Sequence, residues 1–166
     1  LVSFGGSDIE NQTLIALNSI KKMNRKIDVD VVVGKANKCK KPLKIFCNRN
    51  NHFTYHEQID NIADLMLSSD LSIGSSGSTT WERCCLGLPA IVSISSNDQR
   101  DTANSLSQKK CIINLGDVKK LKESSYINVI TNLKKNDLRN MSKNSMSLVD
   151  GNGTQRILKH ILLMVK

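Results

Sequence analysis

An α/β fold, with a mainly parallel sheet and helices on both of its faces, is the class this sequence predicts. Three observations carry the expectation. Short β-branched runs such as Val29-Asp30-Val31-Val32-Val33 and Ala90-Ile91-Val92-Ser93-Ile94 recur along the chain, segments of helical period separate them, and glycine-rich turns follow several of the runs. Runs of that composition read as strands buried on both faces. Strands joined through helices make right-handed crossovers, which gives a Rossmann-like sheet whose ligands bind beyond the carboxyl ends of the strands.

Leu1 to Phe4 is the first expected strand, followed by Gly5-Gly6-Ser7-Asp8 and a helix from about Ile9 to Met23, with Leu14, Ile15, Leu17 and Ile20 on its buried stripe. Val29 to Val33 is the second strand, closed by Gly34. Leu43 to Cys47 is expected as a third, after a basic loop. Glu57 to Ser68 carries Ile59, Ile62, Ala63, Leu65 and Met66 at helical spacing, and Leu71 to Ile73 is the strand that follows. A Gly/Ser/Thr loop then leads into a short helix, Thr80 to Leu86, stopped by Gly87 with Pro89 beyond it. Ala90 to Ile94 is a strand, Asp101 to Lys109 a helix and Ile112 to Leu115 a strand. From about residue 117 to 166 the tail reads as helical, with breaks near Asn136 and at Gly151 to Gly153. The expected order is β-α-β-β-α-β-α-β-α-β, with no internal repeat.

The length of 166 residues suits one domain with its own core, and no apolar run approaches the roughly 20 residues that cross a bilayer. The chain opens on Leu-Val-Ser-Phe, inside what reads as a strand, so it is expected to be a piece of something longer. Five cysteines, an odd number with no Cys-x-x-Cys pair, suggest a reducing, cytoplasmic setting rather than a disulfide framework. Cys39, Cys47, His52 and His56 fall within eighteen residues, but their spacing is loose for zinc, and buried or idle thiols are the better reading.

The formal charge of +9 is uneven: residues 1–83 hold 11 basic and 9 acidic side chains, and residues 84–166 hold 13 and 6. Six of the basic residues, with no acid, lie between positions 31 and 56. Nucleic-acid binding is disfavoured, because aromatic residues make up only 4% of the chain and no recognised nucleic-acid motif is present. A solvated lysine-rich surface is the preferred reading of the charge, with attraction for an anionic ligand as the alternative.

Two loops carry the chemistry. In Gly74-Ser75-Ser76-Gly77-Ser78-Thr79-Thr80-Trp81-Glu82 a strand gives way to a helix within a few small residues, and backbone amides with several hydroxyls suit a diphosphate. Neither Gly-x-x-x-x-Gly-Lys nor Gly-x-Gly-x-x-Gly is present, so ATP hydrolysis and NAD binding are not indicated. Glu82 has two readings: the end of a Thr79-x-x-Glu82 capping box, or a carboxylate that accepts from ribose hydroxyls. Trp81 likewise has two readings, packing on the sheet, which is the commoner, or stacking on a ligand. Gly5-Gly6-Ser7-Asp8 is a second such loop, with Asp8 or Ser7 able to cap the helix that follows. Asn97-Asp98-Gln99-Arg100 is a third element, placed to reach a sugar or simply to begin a helix.

Phe4-Gly5-Gly6-Ser7-Asp8, Asn61-Ile62-Ala63-Asp64-Leu65-Met66, the block from Gly77-Ser78-Thr79-Thr80-Trp81-Glu82 to Gly87-Leu88-Pro89, and Asp98-Gln99 together resemble the UDP-sugar hydrolases of pseudaminic acid biosynthesis and their spore-coat polysaccharide relatives. More distantly, the chain is similar to the C-terminal domain of the peptidoglycan N-acetylglucosaminyl transferase. The resemblance covers roughly residues 1–116 and implies the C-terminal half of a GT-B fold. It implies a UDP-sugar ligand, with Gly6, Ser7, Gly77, Ser78 and Thr79 at the diphosphate, Glu82 at the ribose, Ile59 by the uracil, and Asp98 and Gln99 facing the sugar. It also implies an N-terminal domain, absent from this chain, whose histidine activates water, so no catalytic residue, cofactor or metal is expected here and the isolated domain should be inactive. Ser75-Ser76 stands where the family usually has Ala-Gly, and Asp98-Gln99 where it has Asn-Gln. The alternatives are a GT-B glycosyltransferase domain, or a non-catalytic nucleotide-sugar-binding module fused to a CMP-sugar synthetase.

Overall fold

A computed structural model describes residues 1–164. Six strands form one sheet in the order β3-β2-β1-β4-β5-β6, and every neighbouring pair is parallel. They are β1 (Val2–Ser3), β2 (Val29–Val33), β3 (Phe53–Glu57), β4 (Ser72–Ser75), β5 (Ala90–Ile94) and β6 (Ile112–Asp117). Helices α1 (Gln12–Lys22), α2 (Lys40–Asn48), α3 (Ile62–Leu67), α4 (Thr79–Cys85) and α5 (Arg100–Gln108) make the crossovers, and α6 (Glu123–Asn132), α7 (Lys135–Leu148) and α8 (Gly153–Met164) follow the sheet. The chain winds outward from β1 to β3, then returns to β1's other side for β4. The connections after β1 and β4 therefore leave in opposite directions and open a crevice between them, which is the switch point of a doubly wound sheet.

Period-two alternation divides the core between the two faces. Val29, Val31, Val33 and Ile91 join Ala16, Leu17, Ile20, Leu43 and Tyr126 in one cluster. Val32 packs instead with Leu1, Met66 and Leu88, and Val92 and Ile94 with Ala103, Leu106 and Ile112. Tyr126 on α6 is buried, and its hydroxyl donates to Gln12 Oε1 at 2.8 Å, while Gln12 Nε2 donates to the Val118 carbonyl at 3.0 Å. The first part of the tail is thus fastened to α1, directly behind the first loop. No residue of α8 is buried, and Ile157, Leu158, Ile161 and Leu162 are each more than half exposed. Among the described residues no helix is long and apolar enough to cross a membrane.

The third strand lies elsewhere than expected. Leu43 to Cys47 is helical, within α2, and buries only Leu43 and Cys47, which are one helical turn apart. A five-residue apolar run does not distinguish a strand from a helical face, and Pro42 is tolerated because it falls in the first turn. The strand is Phe53–Glu57, paired along its whole length with β2 at the sheet's edge, where an alternating mixture of polar and aromatic residues suffices. Gln58, with φ of +44°, turns the chain out of β3, so the next helix starts at Ile62 rather than Glu57. Within the tail, the break falls between Asn132 and Lys135.

Candidate functional site

A cleft of about 460 Å³ lies at the switch point and is bounded by the loops after β1, β4, β5 and β6. Phe4 to Glu10, Ser75, Gly77 to Thr79, Ser95, Ser96, Gln99 and Lys119 line it. A larger depression of about 710 Å³ lies between β6, α6 and α7, lined by Ile112, Val129, Leu133 and Met141 among others, but it has no glycine-hydroxyl loop.

The loop after β1 rests on the loop after β2. A Cβ on Gly34 would stand 2.5 Å from Gly6 Cα and 2.7 Å from the Gly5 carbonyl oxygen, so only glycine lets the two backbones meet. Asp8 then closes the loop from a left-handed conformation, φ +42°. Its Oδ1 accepts from the Gln12 amide at 2.8 Å and its Oδ2 from the Thr13 amide at 2.9 Å. The first turn of α1 is capped by this carboxylate, while Asn11, at the geometric cap position, makes no side-chain bond.

The loop after β4 is built differently. A Cβ on Gly74 would stand 2.1 Å from the Ser3 carbonyl oxygen, so β1 and β4 close up only because that position is glycine. The Ser76 amide donates to the Ser93 carbonyl at 3.0 Å, Thr80 to Gly77 at 3.0 Å and Trp81 to Ser78 at 3.0 Å. Among the described residues the amides of Gly77, Ser78 and Thr79 have no acceptor, and no side chain caps α4. Gln99 reaches over this loop: its Oε1 accepts from the Ser95 amide at 3.1 Å, which leaves Nε2 as a donor 3.8 Å from where a Gly77 Cβ would be.

Beneath the loop lies Arg83, only 2% exposed. Burial lowers its pKa to about 10, opposed by Cys84 and Glu82, so the guanidinium stays charged at neutral pH. Ser76, equally buried, has a hydroxyl oxygen without a hydrogen-bond partner.

Of the residues expected at the site, Gly6, Ser7, Gly77, Ser78, Thr79 and Gln99 come together around the cleft. Glu82 is exposed on α4 and forms no capping box with Thr79, since its carboxylate accepts no amide there. Trp81 is 47% exposed and belongs to no core cluster, so the expected packing on the sheet is not observed. Ile59 is half-buried against the Leu1, Val32, Met66 and Leu88 cluster, and Asp98 is exposed beside Gln99; neither lines the cleft. Lys119, Ser95 and Ser96 are in the cleft without having been singled out. Each follows the end of a strand, and that position is the signal that points to them.

The basic loop and its histidines lie elsewhere. His56 Nε2 is 2.7 Å from Asp30 Oδ1 and His52 Nδ1 is 2.9 Å from Asp28 Oδ1, while Cys47 is buried in the core. Among the described residues no three His, Cys, Asp or Glu side chains gather in a metal-binding arrangement.

A doubly wound parallel sheet with a glycine- and hydroxyl-rich cleft at its switch point defines a Rossmann-like ligand-binding domain. The chain belongs to the glycosyltransferase family 28 C-terminal domain, whose family model matches residues 2–161. The spore coat polysaccharide biosynthesis protein SpsG of Bacillus subtilis is 25% identical over 162 residues, covering 95% of this chain and 48% of that protein. An uncharacterized protein of Methanocaldococcus jannaschii is 33% identical over 104 residues, 61% of this chain and 22% of its own length. The crystal structure of MurG from Acinetobacter baumannii superposes with a TM-score of 0.76 at 16% identity, over 97% of this chain and 48% of that one. Solved structures of this architecture include GT-B glycosyltransferases. The chain spans less than half the length of each relative.

Proposed function

We propose that this chain is the nucleotide-sugar-binding C-terminal domain of a UDP-sugar hydrolase acting in pseudaminic acid biosynthesis. The observation that supports it most is the loop after β4, where the amides of Gly77, Ser78 and Thr79 face a cleft without acceptors of their own. A diphosphate supplies the missing acceptors, with Gly6 and Ser7 closing on it from the facing loop. Gln99 Nε2 faces the sugar from the cleft wall, while Glu82 at the ribose, Ile59 by the uracil and Asp98 by the sugar, all outside the cleft's lining, are assigned from the family resemblance alone. In the reaction, water attacks the anomeric carbon, the bond from that carbon to the diphosphate oxygen breaks, and UDP leaves with the electron pair. The proton lost by water goes to a base on an N-terminal domain of the same polypeptide, outside this chain. This domain's part is to orient the nucleotide sugar and to stabilise the negative charge on the departing diphosphate.

Calorimetric titration of the chain with UDP and with CMP tests the reading. Binding of UDP in preference to CMP is expected, and no UDP binding at millimolar concentration overturns it. Membership of glycosyltransferase family 28 favours a second reading, in which an acceptor hydroxyl replaces water. The full-length protein, given a UDP-sugar without acceptor, separates the two: the hydrolase releases UDP and free sugar, and the transferase does not.

A further inference from the structure

Arg83 is the largest fully buried side chain of the described residues, and none of their carboxylates lies within ion-pair distance of it. Its bonds go to neutral oxygens. Nη2 donates to the Ser75 carbonyl at 2.7 Å and to Thr80 Oγ1 at 2.9 Å, Nη1 donates to Ser72 Oγ at 3.4 Å, and Nε has no partner. A lone buried cation is a costly thing for a core to keep.

The placement of those bonds gives the cost a purpose. Ser75 and Thr80 are the two ends of the Ser76–Thr79 loop, so one guanidinium grips the loop at its entry and at its exit. The peptide between Ser75 and Ser76 is held on both sides, its carbonyl by Arg83 and its amide by the Ser93 carbonyl at 3.0 Å. Gly74 gives the guanidinium access to the strand, since a Cβ there would stand 3.0 Å from Nη1. Of the four buried side-chain atoms without a partner among the described residues, two (Ser76 Oγ and Arg83 Nε) lie on or beneath this loop.

We propose that Arg83 is a positioning residue for the diphosphate and its buried counter-charge, acting from behind the Ser76–Thr79 loop without touching the ligand. This rests on reading the cleft as a nucleotide-diphosphate site. One charge acting through a few ångströms of protein changes affinity on the order of tenfold. Arg83→Met is therefore expected to keep the wild-type circular dichroism, to lower Tm because the Ser75 carbonyl and its neighbouring hydroxyls lose their donor, and to bind UDP about tenfold more weakly. Its ratio of UDP to UMP affinity is expected to shrink, because the phosphate that UMP lacks feels the charge most. Arg83→Lys, which keeps a charge and loses the fork that grips both loop ends, is expected to fall between wild type and Arg83→Met in UDP affinity.

UDP binding by Arg83→Met equal to wild type overturns the proposal, as does an equal loss of UDP and UMP affinity, which marks a structural role alone. Should Arg83→Met not fold, Arg83→Gln, which retains an amide donor for the Ser75 carbonyl, carries the same comparison. Inorganic pyrophosphate separates this inference from the nucleotide reading. A wild-type chain that binds pyrophosphate but not UDP overturns the nucleotide and leaves Arg83 to be judged on pyrophosphate, and one that binds neither overturns both.

Discussion

The two loops at the switch point look alike in sequence, each a strand end followed by glycine and serine, yet they are electrically opposite. After β1, the Asp8 carboxylate already occupies the first amides of α1. After β4, three amides stay open and a buried arginine lies beneath them. The first loop has its helix amides already satisfied, and the second leaves three amides open toward the cleft. Similar glycine-rich strings thus acquire different roles from single residues a few positions downstream, Asp8 in one and Arg83 in the other.

The largest effect expected from breaking this pair is on the glycines that hold the loops in place. Gly74→Ala should lower unfolding stability by about 3 kcal/mol in urea titration, because its Cβ meets strand backbone rather than a mobile side chain. Gly34→Ala should cost somewhat less, and a full-stability Gly74→Ala variant would show that β1 and β4 can separate. Next, Glu82→Ala should weaken UDP binding about tenfold while changing stability by less than about 0.5 kcal/mol. A fall in Tm with affinity intact would return Glu82 to helix capping.

Asp8→Ala tests the other loop and should show the reverse: a stability loss of about 1 kcal/mol from the uncapped α1, with UDP affinity undiminished because a negative charge has left the cleft. Weaker UDP binding in that variant would remove the distinction between the loops. The smallest effect belongs to a control far from both. Burial pushes the Cys47 thiol up to about 11 from its ordinary value of 9.0. The folded state therefore holds that proton longer than the unfolded one, and the stability it contributes is full below pH 9 and lost as the pH rises through 11. Cys47→Ala should flatten the alkaline fall in stability, and at pH 8 a thiol reagent should modify exposed Cys85 well before Cys47.

Much of the sheet was legible because Val29 to Val33 and Ala90 to Ile94 are β-branched and buried on both sides, which leaves few alternatives. Phe53 to Glu57 was not, because an edge strand with one neighbour keeps its polar residues, and the apolar run at Leu43 drew attention away from it. At the site, glycine and hydroxyl loops announce themselves through backbone requirements that composition records directly. Arg83 did not, since a sequence displays its charge but not its burial. Lys119 was hidden by reading the chain as helical from residue 117, where the structure has a strand end and a short turn, Val118–Lys120.

The short central strand also bears on how the chain folds. Val2 pairs with Val31 on one side and with Ile73 on the other. Its second partner is made about seventy residues later, on the order of ten seconds at common rates of synthesis. Until then one edge of β1 is open, and the crevice between β1 and β4 does not exist. Such long-range parallel pairing is slow, so the cleft is expected to be among the last features to form and among the first lost when a variant folds poorly.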